Sequence, residues 1–176
     1  MQVSLIFTID AMFDISNWVH SVIGGIHFST AVIGLITGAY ILVTQKGTRA
    51  HKLIGYVFAV SLVLVNLSAL FIYDFNNGKP SVFHFLVPVS LFFLCYGMIP
   101  ALRKKRNPNW KKRHIVGMNG AALGLWAAGT TEYFVRELAS GLNRNELMLY
   151  SFLISTPYAI LIAISITYHL KRERLR

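Results

Sequence analysis

Residues 27–56 read HFSTAVIGLITGAYILVTQKGTRAHKLIGY and combine a histidine, a long apolar run, a short basic loop and a second histidine. The first histidine belongs to an apolar block, Trp18–Thr44, which exceeds the roughly 20 residues that a helix needs to cross a bilayer. The loop KGTR then returns the chain to water, and His51 opens the next apolar block. The stretch therefore predicts a membrane helical hairpin that carries one histidine on each helix.

The composition of the whole chain supports the same interpretation. Of the 176 residues, 55% are hydrophobic and 14% are charged, whereas a soluble domain has about 25% charged residues. Apolar residues occur in five blocks of about twenty, which is typical of membrane-spanning helices. The blocks are Trp18–Thr44, His51–Tyr73, Val82–Leu102, His114–Val135 and Leu147–Leu170. We therefore predict an all-α integral membrane protein with five transmembrane helices.

The hairpin pattern occurs a second time in residues 84–118, HFLVPVSLFFLCYGMIPALRKKRNPNWKKRHIVGM. Both copies begin with His-Phe, cross a basic loop, and end on a histidine that a glycine follows within four residues. The sequence thus predicts a four-helix core built from a tandem two-helix repeat, with a fifth helix outside the repeat. The predicted segments of this single domain are an outer N-terminal segment 1–17, repeat one 18–73, repeat two 82–135, the fifth helix 147–170 and a basic tail 171–176.

The charged residues predict the orientation in the membrane. The two basic loops and the C-terminus, all on one side, hold 14 of the 17 basic residues, and six of the seven acidic residues fall on the other side. By the positive-inside rule the basic side is cytoplasmic, so we expect the N-terminus outside and the C-terminus inside. The net charge of +10 is then a topology signal and an attraction to anionic lipid, and we expect no nucleic-acid partner.

The histidines of the two repeats fall at two matched depths. His27 and His84 lie about 25 Å from the basic boundary, whereas His51 and His114 lie at it. Two facing imidazoles in a helix bundle are suitable axial ligands of haem iron. We therefore predict up to two haem b groups, an outer one between His27 and His84 and an inner one between His51 and His114.

Small and basic residues near these histidines extend the prediction. A flat macrocycle needs small neighbours, and basic side chains can pair with its propionates. The candidates are Gly34, Gly55, Gly117, Gly124, Arg49 and Arg113. Glycines at such spacing are also typical of close helix packing, which is the simpler interpretation of each of them.

The pattern His27, Gly34 and KGTRAHKLIGY, followed by His84 and KKRHIVGMNGAAL, resembles an uncharacterised family of predicted prokaryotic membrane proteins. The resemblance covers roughly residues 20–135 and implies a location in the cytoplasmic membrane of a prokaryote. The arrangement is also similar in architecture to two-haem b-type transmembrane cytochromes. That similarity implies electron transfer by a membrane oxidoreductase, with a quinol or another small redox partner.

Two other functions fit the same sequence. His20, His27 and His84 could join Asp74 or Glu132 in a zinc site on the outer face, because three protein ligands and an open position are typical of a zinc-dependent hydrolase. Alternatively, the protein is a membrane subunit or assembly factor without a cofactor, and its fifth helix contacts a partner or a second copy of the chain. His169 is interpreted as an interfacial residue beside the basic tail.

Overall fold

The computed structural model describes residues 15–73, 78–106, 108–139 and 141–174, and it is helical throughout these ranges except for short connections. The five long helices are α1 (Val22–Val43), α2 (Arg49–Ala69), α3 (Val82–Leu102), α4 (Trp110–Tyr133) and α5 (Arg144–Arg174). Short 3₁₀ turns cover Ile15–Asn17 and Lys104–Arg106, and a π-helical turn covers Phe134–Leu138. The prediction of an all-α fold with five helices is confirmed.

Local capping explains where the helices of the first hairpin begin. The hydroxyl of Ser21 accepts a hydrogen bond from the backbone of Gly24 at 3.0 Å, so α1 starts at Val22 and not at the predicted Trp18. The hydroxyl of Thr48 caps α2 in the same way through the backbone of His51 at 3.1 Å. Such caps satisfy backbone N–H groups that have no partner within the helix.

The first four helices form a ring in which each helix contacts the next. Within this ring α1 packs on α2, α2 on α3, α3 on α4 and α4 again on α1, while α5 packs mainly against the outer side of α4. The two hairpins make the most extensive contacts of the ring. This is the predicted four-helix core with a fifth helix beside it.

Helix α4 is the most enclosed element, although it is the least suited to lipid by composition. Four helices, α1, α2, α3 and α5, are long and apolar enough to span a membrane, and α4 does not reach that hydropathy. Yet α4 has eight buried residues, whereas none of the residues of α5 is buried. Because α1, α3 and α5 all pack around α4, small and polar residues replace the large apolar ones that lipid contact would require.

Close packing between helices explains two of the glycines that were predicted to lie beside a cofactor. A Cβ atom on Gly117 would lie 2.3 Å from the backbone nitrogen of Gly97, so α3 and α4 meet backbone to backbone there. A Cβ atom on Gly34 would lie 2.8 Å from the side chain of Leu125. At these two positions the small residue permits a close helix contact.

Candidate functional site

One end of the bundle collects the basic residues and holds a large cavity of about 950 Å³, here called the inner cavity. This basic end contains the C-termini of α1, α3 and α5 and the N-termini of α2 and α4. All five helices contribute to the lining of the cavity. Pockets for drug-sized ligands measure about 300–1,000 Å³, so the inner cavity has room for a large organic cofactor.

His51 of α2 and His114 of α4 both line the inner cavity. Their ring centroids lie 6.3 Å apart, and the ring planes are nearly perpendicular at 83°. Imidazole nitrogens bind a metal ion at about 2 Å and lie about 1 Å from the ring centre, so two imidazoles on opposite sides of one iron have centroids about 6 Å apart. The separation of these two rings is therefore compatible with two histidines that would hold one iron between them.

The hydrogen bonds of the two rings suit metal binding as well. Nδ1 of His114 donates to the backbone carbonyl of Gly97 at 3.0 Å, because a carbonyl oxygen can only accept. A donated Nδ1–H puts the lone pair on Nε2 and fixes the ring orientation, as is usual for metal-ligating histidines. Nδ1 of His51 is buried and has no hydrogen-bond partner among the described residues.

Gly55 follows His51 by one turn of α2 and lines the same cavity. A Cβ atom at this position would have no described atom within 4 Å, apart from its own helix and chain neighbours. In contrast to Gly34 and Gly117, Gly55 thus faces open space inside the cavity. This is the position at which a flat ring held by His51 would need a glycine.

The charge of the inner cavity is predominantly positive. Its lining includes the cations Lys46, Lys52, Lys111 and Arg172 and the single carboxylate of Glu173, which pairs with Lys111. Desolvation by partial burial and, secondly, the charge of Arg172 lower the pKa of the Lys46 ammonium. The cavity is therefore suited to an anionic group.

The two arginines predicted to contact propionates lie elsewhere. Neither Arg49 nor Arg113 belongs to the described lining of the inner cavity. Both are exposed, and the guanidinium of Arg113 lies over the ring of Tyr96 at 5.7 Å from its centroid. The lysines of the loop and the helix starts, together with Arg172 of α5, are closer candidates for that role.

A second cavity of about 240 Å³, here called the outer cavity, lies toward the opposite end of the ring. His27, His84 and Glu132 line it, together with Gly124 and mostly apolar side chains of α1 to α4. A Cβ atom on Gly124 would have no described atom within 4 Å beyond its own helix and chain neighbours. The volume is below the usual range for drug-sized ligands, so the space present does not suit a haem.

His27 is tied to three polar groups at the outer cavity. Its Nδ1 donates to the carbonyl of Val65 at 3.2 Å and to the hydroxyl of Ser68 at 3.0 Å. Its Nε2 lies 3.8 Å from a carboxylate oxygen of Glu132, whose other oxygen accepts from Arg136 at 2.9 and 3.0 Å. His27 therefore faces a carboxylate in a buried charged network.

His84 is held differently. Its Nδ1 accepts a hydrogen bond from the backbone N–H of Ser81 at 3.1 Å, which places the proton of the neutral ring on Nε2. Nε2 is buried and has no hydrogen-bond partner among the described residues. A ring with its proton on Nε2 is a donor there and not a metal ligand, so the arrangement at His84 does not suit haem iron, and the outer haem pair stays a prediction.

A protein-family model matches most of the chain. Residues 24–168 match the family model described as "Predicted membrane protein (DUF2306)". The chain belongs to the DUF2306 family. The predicted resemblance to an uncharacterised family of membrane proteins is thereby confirmed, and the match extends beyond residue 135 to include most of α5. No curated protein and no solved structure matches the chain.

The zinc alternative requires at least three ligands at one place on the outer face of this DUF2306 chain. In the ranges that the structure describes, no three His, Cys, Asp or Glu side chains come close enough together to hold one metal ion. His20 is exposed ahead of α1 and is absent from the described lining of the outer cavity. Asp74 lies outside the described residues.

One histidine of the DUF2306 chain has a position that the sequence did not indicate. His169 of α5, interpreted as interfacial, lines the inner cavity with His51 and His114. The repeat pairs α1 with α3 and α2 with α4 and gives no information about α5. The sequence shows only that His169 lies near the basic end of its helix. That position does not distinguish a residue that lines a cavity from one that lies at the membrane interface.

Proposed function

We propose that this protein is a membrane-bound b-type cytochrome that transfers electrons and holds one haem b between His51 and His114. The observation that carries the proposal is the 6.3 Å separation of the two imidazoles at the wall of a 950 Å³ cavity. Each ligand comes from a different hairpin, so the site also requires the packed bundle.

Three further features of the inner cavity support a haem. Gly55 leaves open space one turn from His51, the buried Nδ1 of His51 lacks a partner among the described residues, and cationic side chains line the cavity. Two propionate carboxylates would be stabilised by such cations. The hydrogen bond to the carbonyl of Gly97 fixes the orientation of the His114 ring.

A bound haem supplies one-electron redox chemistry, and the protein sets its orientation, potential and access. In this chain, His51 and His114 would hold the haem iron, and Lys46, Lys52 and Arg172 would neutralise the propionates.

The test is the visible absorption spectrum of the detergent-purified protein, oxidised and then reduced with dithionite. We expect a Soret band, sharp reduced α and β bands, and one haem per chain. His51→Ala and His114→Ala should each remove the haem, whereas His20→Ala should retain it because His20 is exposed and is not in the described lining of either cavity.

Two results would contradict the proposal: a colourless protein from cells supplied with haem, or haem that both alanine variants retain. Electron paramagnetic resonance adds a check on the ligands. The oxidised protein should give a low-spin signal, and His51→Ala and His114→Ala should each lose it.

A further inference from the structure

The outer cavity has no role in the haem site just proposed, and its size limits what it can hold. An apolar cavity of about 150 Å³ binds benzene, and pockets for larger ligands begin at about 300 Å³. At about 240 Å³ the outer cavity fits a single substituted six-membered ring.

The two cavities are neighbours along α4. Met118 and Asn119 line the inner cavity, and the next two residues, Gly120 and Ala121, line the outer one. A ligand in the outer cavity and a haem in the inner cavity would therefore contact consecutive residues of α4.

The outer cavity has a mostly apolar wall with several polar residues, and two of these, Glu132 and His84, offer an acceptor and a donor. The acceptor is the carboxylate of Glu132, which Arg136 holds at 2.9 Å and His27 faces at 3.8 Å. The donor is Nε2–H of His84, which is buried without a hydrogen-bond partner among the described residues. Buried donors in proteins are nearly always satisfied, and a ligand oxygen would satisfy this one.

We propose that the outer cavity binds a quinol-type compound, a six-membered ring that carries hydroxyl groups. One hydroxyl donates to the Glu132 carboxylate, and an oxygen of the ring accepts from Nε2 of His84. The proposal rests on the proposed cytochrome function only in that the compound would be its redox partner; the binding itself needs no haem.

The experiment measures binding of duroquinol, a tetramethylated quinol, to the detergent-purified protein by anaerobic equilibrium dialysis. Gly124→Leu should fill the outer cavity and weaken binding about tenfold or more, because the leucine takes the space of the ring. Gly124→Ala should bind nearly as well as the unchanged protein, since a Cβ atom there has no described neighbour within 4 Å beyond its own helix and chain neighbours.

A matched control uses the glycine of the other cavity. Gly55→Leu places a side chain where the ring held by His51 would lie, so it should lose haem and keep duroquinol binding. Gly124→Leu should do the opposite, with the haem spectrum preserved and duroquinol binding lost. The reciprocal pattern also shows that each variant still folds.

The hydrogen bond to Glu132 is tested with duroquinone, which has no hydroxyl to donate. We expect duroquinol to bind about tenfold more tightly than duroquinone, as the loss of one buried hydrogen bond to a charged group predicts. In Glu132→Gln, duroquinol and duroquinone should bind with nearly equal affinity. The amide can accept from a hydroxyl and donate to a quinone oxygen, whereas the carboxylate can only accept.

The outcomes separate this inference from the proposed function. Unchanged duroquinol binding in Gly124→Leu would overturn the inference, and so would two haems per chain of which His84→Ala loses one. The second of these results would leave the inner haem in place. A colourless protein that binds duroquinol as expected would support the inference and overturn the cytochrome.

Discussion

Gly117 and Gly124 lie seven residues apart on α4, and their surroundings predict opposite responses to the same substitution. A Cβ atom on Gly117 would meet the backbone of Gly97 at 2.3 Å, whereas one on Gly124 would meet no described atom within 4 Å outside its own helix and chain neighbours. We expect Gly117→Ala to destabilise the protein by about 1–3 kcal/mol, because backbone atoms cannot move aside as a flexible side chain can.

The measurement is the midpoint of thermal unfolding in one detergent. Gly124→Ala is the control, and its midpoint should be unchanged or higher, because alanine favours a helix by up to about 1 kcal/mol over glycine. Equal losses of stability in the two variants would contradict the close contact between α3 and α4.

Glycines also show how far single residues can be interpreted from the sequence. The spacing of Gly34, Gly55, Gly117 and Gly124 predicted both helix contacts and cofactor contacts, and the structure divides them into two packing positions and two cavity positions. Both uses require the absence of a side chain, so the sequence has no feature that separates them. The partners of Glu132 and His84 likewise depend on helix rotation, which a histidine spacing does not specify.

At the scale of helices, several side-chain hydrogen bonds join α4 to α5, and those of Asn119 and Thr130 are well separated along α4. Ser165 donates to the side chain of Asn119, and Tyr158 bonds to Thr130 at 2.6 Å. Each should contribute about 0.6 kcal/mol, as measured for such bonds in membranes. Asn119 and Thr130 are about 16 Å apart along α4, so the effects of Ser165→Ala and Tyr158→Phe should add.

Unfolding in a titration of denaturing detergent measures these effects. Thr167→Ala is the control, since the Thr167 hydroxyl bonds to Ala163 of its own helix at 2.8 Å. A larger loss in Thr167→Ala than in Ser165→Ala would contradict the assigned contact.

Existence and order of the helices were predictable because apolar blocks of this length have few alternatives to a membrane helix. The predicted bounds of α3 match those of the structure, whereas α5 extends by three residues at its start and four at its end. Both ends of α5 are charged, with Glu146 in the first turn and three basic residues in the last turn. These charges stabilise the helix ends by their favourable interaction with the helix dipole. Hydropathy alone does not include that effect.

At the scale of the whole molecule, the basic end should face the cytoplasm. Green fluorescent protein fused to the C-terminus should fluoresce in bacterial cells, and alkaline phosphatase at the same place should be inactive, because each reporter works on one side of the membrane only. Active phosphatase at the C-terminus would reverse the predicted orientation and would place the inner cavity outside.

The ring of four helices follows from the repeat, because two similar hairpins with short loops pack as neighbours. What the repeat did not predict is the inequality of its two histidine layers. His51 and His114 are close enough to bind one group between them. His27 instead contacts Ser68 and Glu132, and His84 contacts Ser81. Similar positions in two repeats thus have different surroundings, because the residues around them are not repeated.

The low hydropathy of α4 has a consequence for how the protein is made. A segment that is not apolar enough to partition into lipid alone enters the bilayer poorly from the translocon. Its burial among α1, α3 and α5 therefore predicts that α4 is inserted as a hairpin with α3. The side chain of Asn119, which accepts a hydrogen bond from Ser165, would lack this partner until α5 is in place. Biogenesis of this protein should therefore depend on α5, the helix that packs against α4.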